Sequence, residues 1–414
     1  MARPDPARPV GIDLFAGAGG LSLGFTAAGF KIAAALDFDR SAIRTLRANH
    51  FVSPALVIKR DIRRFGPRAM ATRLRGTSPN LKVDLIIGGP PCQGWSKVGR
   101  GKLRSLGRFG DGRDPFADPR NRLFTSFIRY VRHFLPRVCV MENVSGMAHY
   151  QGQDLTGLVR DRISSLGYRV AVSHIDASQL GLPQKRPRVI FVGLRDDLGR
   201  TFTPPSAAPS DLALRRQTVV RDAIRDLPWI RDGSRRESLR YFRDRKLARY
   251  ARLLRPAWLN GTVDAHVTRW HRTQDIRAFR FLSEGGVYAD LPQSFQRYRV
   301  DIFRDKYRRL AWDEPSPCLT AHLAKDCYSH IHPSQARTIS IREAARLQGF
   351  PDWYQLEGNM GQRYRLIGNA VPPLVAYALA VSIRQQLGER VTYTWHELAR
   401  DVARATGVDH GTAQ

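Results

Sequence analysis

Short apolar runs alternate with amphipathic stretches over the first half of the chain, the pattern of a doubly wound α/β sheet in which buried strands are joined by crossover helices. Val10 to Phe15 reads as a first strand, Leu21 to Ala28 as a helix, Lys31 to Leu36 as a second strand and Arg40 to Asn49 as a second helix. Val83 to Ile87 and Val138 to Met141 have the length and composition of further strands. His174 to Asp176 and Val189 to Gly193 add two more.

After Leu194 the regular pattern fades. Pro204, Pro205, Ser206 and Pro209 form a connector, and Ala213 to Arg255 holds 14 basic residues against five acidic ones, with Trp229, Tyr241, Phe242 and Tyr250 interleaved. Such a stretch is either a solvated face or an element turned toward DNA. Order returns at Ile339 to Phe350, where Ile341, Ala344, Ala345 and Leu347 suit one helix face, and at Val371 to Leu387, an apolar helix entered through Pro372 and Pro373. With 414 residues, two domains are expected. The last two dozen residues read as a peripheral helix or tail.

Charge sharpens this picture. The chain carries 67 Lys and Arg against 37 Asp and Glu, a formal net charge of +30, which favours a polyanionic partner, because each phosphate neutralised releases condensed counterions. Four cysteines, Cys92, Cys139, Cys318 and Cys327, stand without a CxxC pair, arguing against a disulfide framework and for a reducing compartment. No apolar run reaches membrane-spanning length and the first nine residues lack a signal-peptide core, so a cytoplasmic protein is expected.

Candidate chemistry sits where predicted strands end. Asp13 to Gly20 (DLFAGAGG) follows the first strand and opens a helix; glycines there let a ligand approach the backbone, and the helix N-terminus favours its negative groups. Asp37, about 20 residues on, is placed to bind a ribose diol, but the glycine spacing is not that of a dehydrogenase. Gly88 to Ser96 (GGPPCQGWS) displays Cys92 on a stiff turn after Leu85-Ile86-Ile87, where a thiolate can act as a nucleophile. Glu142 ends another strand on the same predicted sheet edge. Arg186 and Arg188, two apart in an extended segment, point to one face. Residues 97 to 122 carry five glycines and eight basic against three acidic residues, suiting a loop that closes over a substrate. Cys318, His322, Cys327, His330 and His332 lack the spacing of a common zinc site, and no metal is expected.

The ordered set Asp13 to Phe25, Gly88 to Ser96, Glu142 to Val144, Gln184 to Arg188 and Gly368 to Pro373 resembles the bacterial type of DNA cytosine-5 methyltransferases, and Arg337 to Phe350 looks like that family's return to the core. The resemblance implies a Rossmann-like, mostly parallel sheet with a second, smaller target-recognition domain. It implies a catalytic domain over residues 1–199, target recognition over 200–336, a return over 337–390 and a tail over 391–414, with DNA lying between the two domains. It implies that Cys92 adds to carbon 6 of a flipped-out cytosine, that Glu142 binds and protonates ring N3, and that Arg186 and Arg188 hold the base and the acidic group.

For S-adenosylmethionine, the implied methyl donor, the family pattern puts Phe15, Gly17, Gly19 and Gly20 at the methionine end, Asp37 on the ribose, Phe38 against adenine, and Asp61 with Ile62 along the adenine edge. Pro90, Leu123, Asn369 and Val371 complete the pocket. Asp37 stands where the family usually has Glu, one methylene shorter. Gln93, Ser96, Lys97 and Arg100 are the implied DNA contacts. The implied partner is duplex DNA, met by a monomer, with a functionally paired restriction endonuclease if the protein serves a restriction-modification system and none if it is an orphan. A tRNA cytosine methyltransferase on the same scaffold and a non-catalytic DNA-binding regulator are the rival readings.

Overall fold

Seven strands form one sheet in the order β3-β2-β1-β4-β5-β7-β6, described in a computed structural model that covers residues 8–49, 56–91, 122–147, 154–214, 217–242, 247–259, 261–297 and 306–406. The strands are β1 (Val10–Leu14), β2 (Lys31–Asp37), β3 (Leu56–Lys59), β4 (Leu85–Gly88), β5 (Val138–Val144), β6 (Tyr168–Asp176) and β7 (Pro187–Arg195). All neighbours pair in parallel except β7, which runs antiparallel to both β5 and β6. The central strands are almost wholly buried, as a parallel sheet covered on both faces requires.

Helices α1 (Gly20–Ala27), α2 (Arg40–Ala48), α3 (Pro67–Thr77), α4 (Leu123–Phe134) and α5 (Leu155–Ser164) cover the sheet. Asp39 caps α2 through Ser41 N–H at 2.7 Å. Tyr130 of α4 donates to Phe65 O at 2.8 Å, fixing α4 to the segment that leads into α3. The doubly wound mixed sheet is the architecture the sequence predicts. The pattern missed β3, α3, α4 and α5.

The chain divides into two compact units. The first comprises residues 1–176, 187–206 and 376–398, and the second 177–186, 207–375 and 399–414. Residues up to Val375 pack with the second unit. The cause is polar. In α9 (Ile341–Leu347), which follows α6 (Val220–Ile224), α7 (Arg249–Leu254) and α8 (Thr273–Phe281), the fully buried Arg346 donates to Ala223 O at 2.8 Å, pairs with Asp226, and meets Asp352 at 2.6 Å. Glu343 of the same helix is held by a two-bond fork from Arg337, each bond 2.7 Å, and this ion pair keeps its carboxyl far below the usual range against the cost of burial.

The basic, aromatic-rich stretch before it is mixed in role. Tyr241 and Tyr250 are buried, and Arg255 lies 3.5 Å over the Tyr241 ring, so these residues build the core of the second unit. Trp229 and Phe242 remain exposed. The apolar stretch Met360–Gln386 is long enough to cross a membrane by length and composition, yet it consists of α10 (Met360–Asn369) and α11 (Pro373–Gln386) and is mostly buried within the protein. The tail carries α12 (Trp395–Ala405), whose Trp395 packs against Tyr377 of α11.

Candidate active site

Strand β1 ends in a turn that only a special backbone can make. Phe15, Gly17 and Gly19 all have positive φ, at 59°, 53° and 77°; glycine adopts this at no steric cost, and Phe15 adopts it against a cost of about 1 kcal/mol. Ala16 N–H donates to Leu36 O at 3.1 Å, and Asp37 Oδ2 accepts from Gly17 N–H at 2.8 Å. Asp37 Oδ1 accepts from Asp39 N–H at 2.8 Å. The glycine turn is thereby tied to the carboxyl end of β2. Burial raises the Asp37 pKa above its ordinary value, opposed by these N–H groups. Phe38, next in sequence, leaves its ring 70% exposed.

Asp13 lies beneath the turn. Its Oδ2 accepts from Ser22 N–H at 3.2 Å and from Ser22 Oγ at 2.6 Å, securing the first turn of α1. Its Oδ1 is buried and has no hydrogen-bond partner among the described residues. Burial pushes the carboxyl up to about 7.

Strand β4 brings the next block to the same edge. Gly88 pairs with Leu14 of β1 and Met141 of β5, and a Cβ on it would stand 2.6 Å from Leu14 O, so glycine is required for the close approach. Asn143 Nδ2 lies 3.5 Å from Pro90 O. Cys92, Gln93, Ser96, Lys97 and Arg100, and the rest of the loop up to residue 121, lie outside the described residues. What is described is the strand end from which the cysteine block departs.

Glu142 stands one residue past the Gly88–Met141 pair, on the sheet edge the sequence predicts for it. Arg188 Nε reaches its Oε1 at 2.8 Å, with both side chains largely buried. The two predicted arginines part company here. Arg188 lies on β7 and faces Glu142, whereas Arg186 precedes the strand and is buried in the second unit, where its guanidinium donates to Leu319 O at 2.7 Å, Gly368 O at 3.2 Å and Ala370 O at 2.8 Å. An extended segment through both residues was expected; β7 begins only at Pro187, so the alternation does not include Arg186.

Asp61 meets Arg63 at 2.6 Å, which lowers its pKa, and Ile62 is buried with its carbonyl accepting from Arg129 at 2.6 Å. Leu123 opens α4. Asn369 and Val371 belong to the second unit. Cys327 Sγ donates to Leu323 O at 3.0 Å, and His332 Nδ1 accepts from Ser334 and Gln335 N–H, both at 3.1 Å.

The profile of the C-5 cytosine-specific DNA methylases matches residues 10–385. The chain belongs to this family. Among curated relatives, M.DdeI of Desulfomicrobium norvegicum, a type II methyltransferase, is 34% identical over 90% of this chain and 88% of its own. M.AgeI of Thalassovita gelatinovora, also a type II methyltransferase, is 32% identical over 90% of this chain and 98% of its own. Among solved structures, a DNA modification methyltransferase encoded within an E. coli prophage is 27% identical, with a TM-score of 0.69 over 92% of this chain and 100% of that one. The Dnmt2 methyltransferase of S. pombe, at 16% identity and a TM-score of 0.53, shares the fold. The activity class of this methylase is therefore DNA cytosine-5 methyl transfer.

Sequence reasoning missed how the methylase holds its Gly368 block. Gln184, fully buried, donates to Leu347 O and Gln348 Oε1, and Gln348 donates to Ala370 O at 2.6 Å. A Cβ on Gly368 would lie 2.3 Å from the Thr320 carbonyl. The available signal was the cluster of buried amides and an arginine among glycines, which a hydrophobic pattern does not register.

Proposed function

We propose that the protein methylates carbon 5 of a cytosine flipped out of a specific duplex DNA sequence, acting as a cytoplasmic monomer. The carrying observation is the Glu142–Arg188 pair at the strand edge shared with the glycine turn and with the start of the cysteine block. Cys92 Sγ bonds to carbon 6 of the ring while the Glu142 carboxyl donates a hydrogen bond and a proton to ring N3, which makes the ring electrophilic enough for addition. Arg188 fixes the Glu142 carboxyl and presents a donor beside it. Once carbon 5 carried the methyl that the bound donor would supply, loss of the carbon-5 proton to a base and return of the N3 proton to Glu142 would let Cys92 leave as thiolate and restore the aromatic ring. Flipping is needed because carbon 6 is closed to a protein thiol in stacked DNA.

The residues present fit a nucleoside-bearing methyl donor. The left-handed turn through Phe15, Gly17 and Gly19 leaves backbone open to a ligand, and Phe38 offers an exposed aromatic face for adenine. Asp37 Oδ2 accepts from Gly17 N–H and Oδ1 from Asp39 N–H, and a carboxylate has acceptor capacity beyond these for a ribose hydroxyl. Asp61, Ile62, Pro90, Leu123, Asn369 and Val371 are assigned to the same group by the resemblance. S-adenosylmethionine, when bound, supplies the methyl group as an electrophile. Gln93, Ser96, Lys97 and Arg100 are assigned to DNA, and the region within 200–336 to target recognition. Similarity to type II methyltransferases supports a place in a restriction-modification system, beside a paired endonuclease.

Bisulfite sequencing of DNA from a host expressing the protein is expected to reveal one recurrent sequence with a protected cytosine. Methyl transfer to tRNA and never to duplex DNA would reverse the choice of substrate, and no uptake of labelled methyl at all would favour a non-catalytic DNA-binding protein.

A further inference from the structure

Residues 40 to 82 carry eleven Lys and Arg against one acidic residue, Asp61. A tenth of the chain thus holds a net +10 of the formal +30, and all eleven basic side chains are exposed. Their placement is ordered. On α2, Arg40, Arg44 and Arg47 are spaced i, i+4, i+7, a single stripe opposite the buried face of Ser41, Ala42, Ile43, Thr45 and Leu46. The stripe spans about 10 Å of helix axis.

The stripe runs beside β3, the outermost strand on that side of the sheet. Arg47 Nη2 reaches Val57 O at 3.4 Å, Lys59 pairs with Asp37 in the β2–β3 register, and Arg60 N–H donates to Asp37 O at 3.0 Å. Lys59 and Arg60 therefore leave β3 beside the start of α2. Among the described residues no carboxylate pairs with Arg40, Arg44, Lys59 or Arg60, and Asp61 is taken by Arg63. Apart from the Asp61–Arg63 pair, this concentration of like charge repels itself. Glu142 lies four strand spacings away, about 19 Å across the sheet, so this charge is remote from the carboxyl that meets the base, while the donor residues Asp37, Phe38, Asp61 and Ile62 adjoin it.

We propose that the α2–β3 face is a second, sequence-independent site for the phosphate backbone of duplex DNA, apart from the target site, and that it retains the enzyme on long DNA. The inference rests on the duplex-DNA reading above. Over the length of the stripe a duplex presents about six phosphates, enough to match every basic group on it. Within α2 the stripe carries no large exposed apolar side chain, and the exposed Phe38 ring just before it is assigned to adenine, which favours duplex DNA over an acidic protein or single-stranded RNA.

The test compares the full chain with the triple variant Arg40→Gln, Arg44→Gln, Arg47→Gln and with the same three positions changed to Lys. On duplex lacking the target, the slope of log K against log salt should become shallower by about 2 to 3 in the Gln variant and stay unchanged in the Lys variant. Methyl transfer to a short duplex with one target should stay within twofold, while transfer to plasmid-length DNA falls several-fold. An unchanged slope in the Gln variant, an equal loss in the Lys variant, or tighter retention of single-stranded RNA or an acidic protein than of duplex DNA would overturn the proposal. Intact covalent capture of a target cytosine alongside an unchanged slope overturns this proposal alone, whereas absent capture rejects the underlying reading.

Discussion

Glu142 and Arg188 meet because of strand register. Val144 is opposite Arg188 and Glu142 opposite Ile190, so the ion pair links diagonal neighbours on one face of an antiparallel ladder. Under the proposed function, Glu142→Gln and Arg188→Ala should each lower kcat about 10²- to 10⁴-fold with little change in DNA affinity. The double variant should fall no further than the worse single one, because the two groups act as a unit; single-turnover methyl transfer checks both statements.

Asp13 gives a prediction in pH. Its folded pKa of about 7 exceeds the ordinary carboxyl value of 3.8, so the folded state binds the extra proton between the two. Its contribution to stability is fully present below pH 4 and is lost as pH rises through 7, to the extent of about 4 kcal/mol. Asp13→Asn, which keeps an acceptor for Ser22, should flatten this fall; equal pH slopes for the two proteins in thermal denaturation between pH 5 and 8 would contradict the assignment.

At the scale of elements, the Gly368 block depends on close backbone contact and on Arg186. Gly368→Ala must displace the Thr320 carbonyl and should cost roughly 1–3 kcal/mol, and Arg186→Lys, which cannot span three carbonyls, should cost a similar amount, both measurable by urea denaturation. These features also mark what the sequence could express. The buried strands β1, β2, β4 and β5 were legible because apolar runs of that length have few other uses, and the Glu142 position followed from the parallel sheet. Helix α9 was legible on its apolar face only. Arg342, Glu343 and Arg346 are equally buried, and charged residues held by ion pairs look like surface in any hydropathy pattern. The surroundings of Arg186 were illegible for a related reason: where a strand starts decides which alternate residues share a face, and boundaries are the least determined part of a sequence reading.

For the molecule as a whole, two compact units and a strong positive charge fit a protein that holds DNA and alters one base in it. The buried Arg346 network holds α9 within the second unit, a contact between charged side chains that a hydropathy pattern does not register. The central claim is covalent chemistry at Cys92. Duplex DNA with 5-fluorocytosine at the methylated position, incubated with the protein and S-adenosylmethionine, is predicted to give a denaturant-resistant complex whose modified peptide contains Cys92, and Cys92→Ser is predicted to give none. Trapping that survives Cys92→Ser would contradict the account.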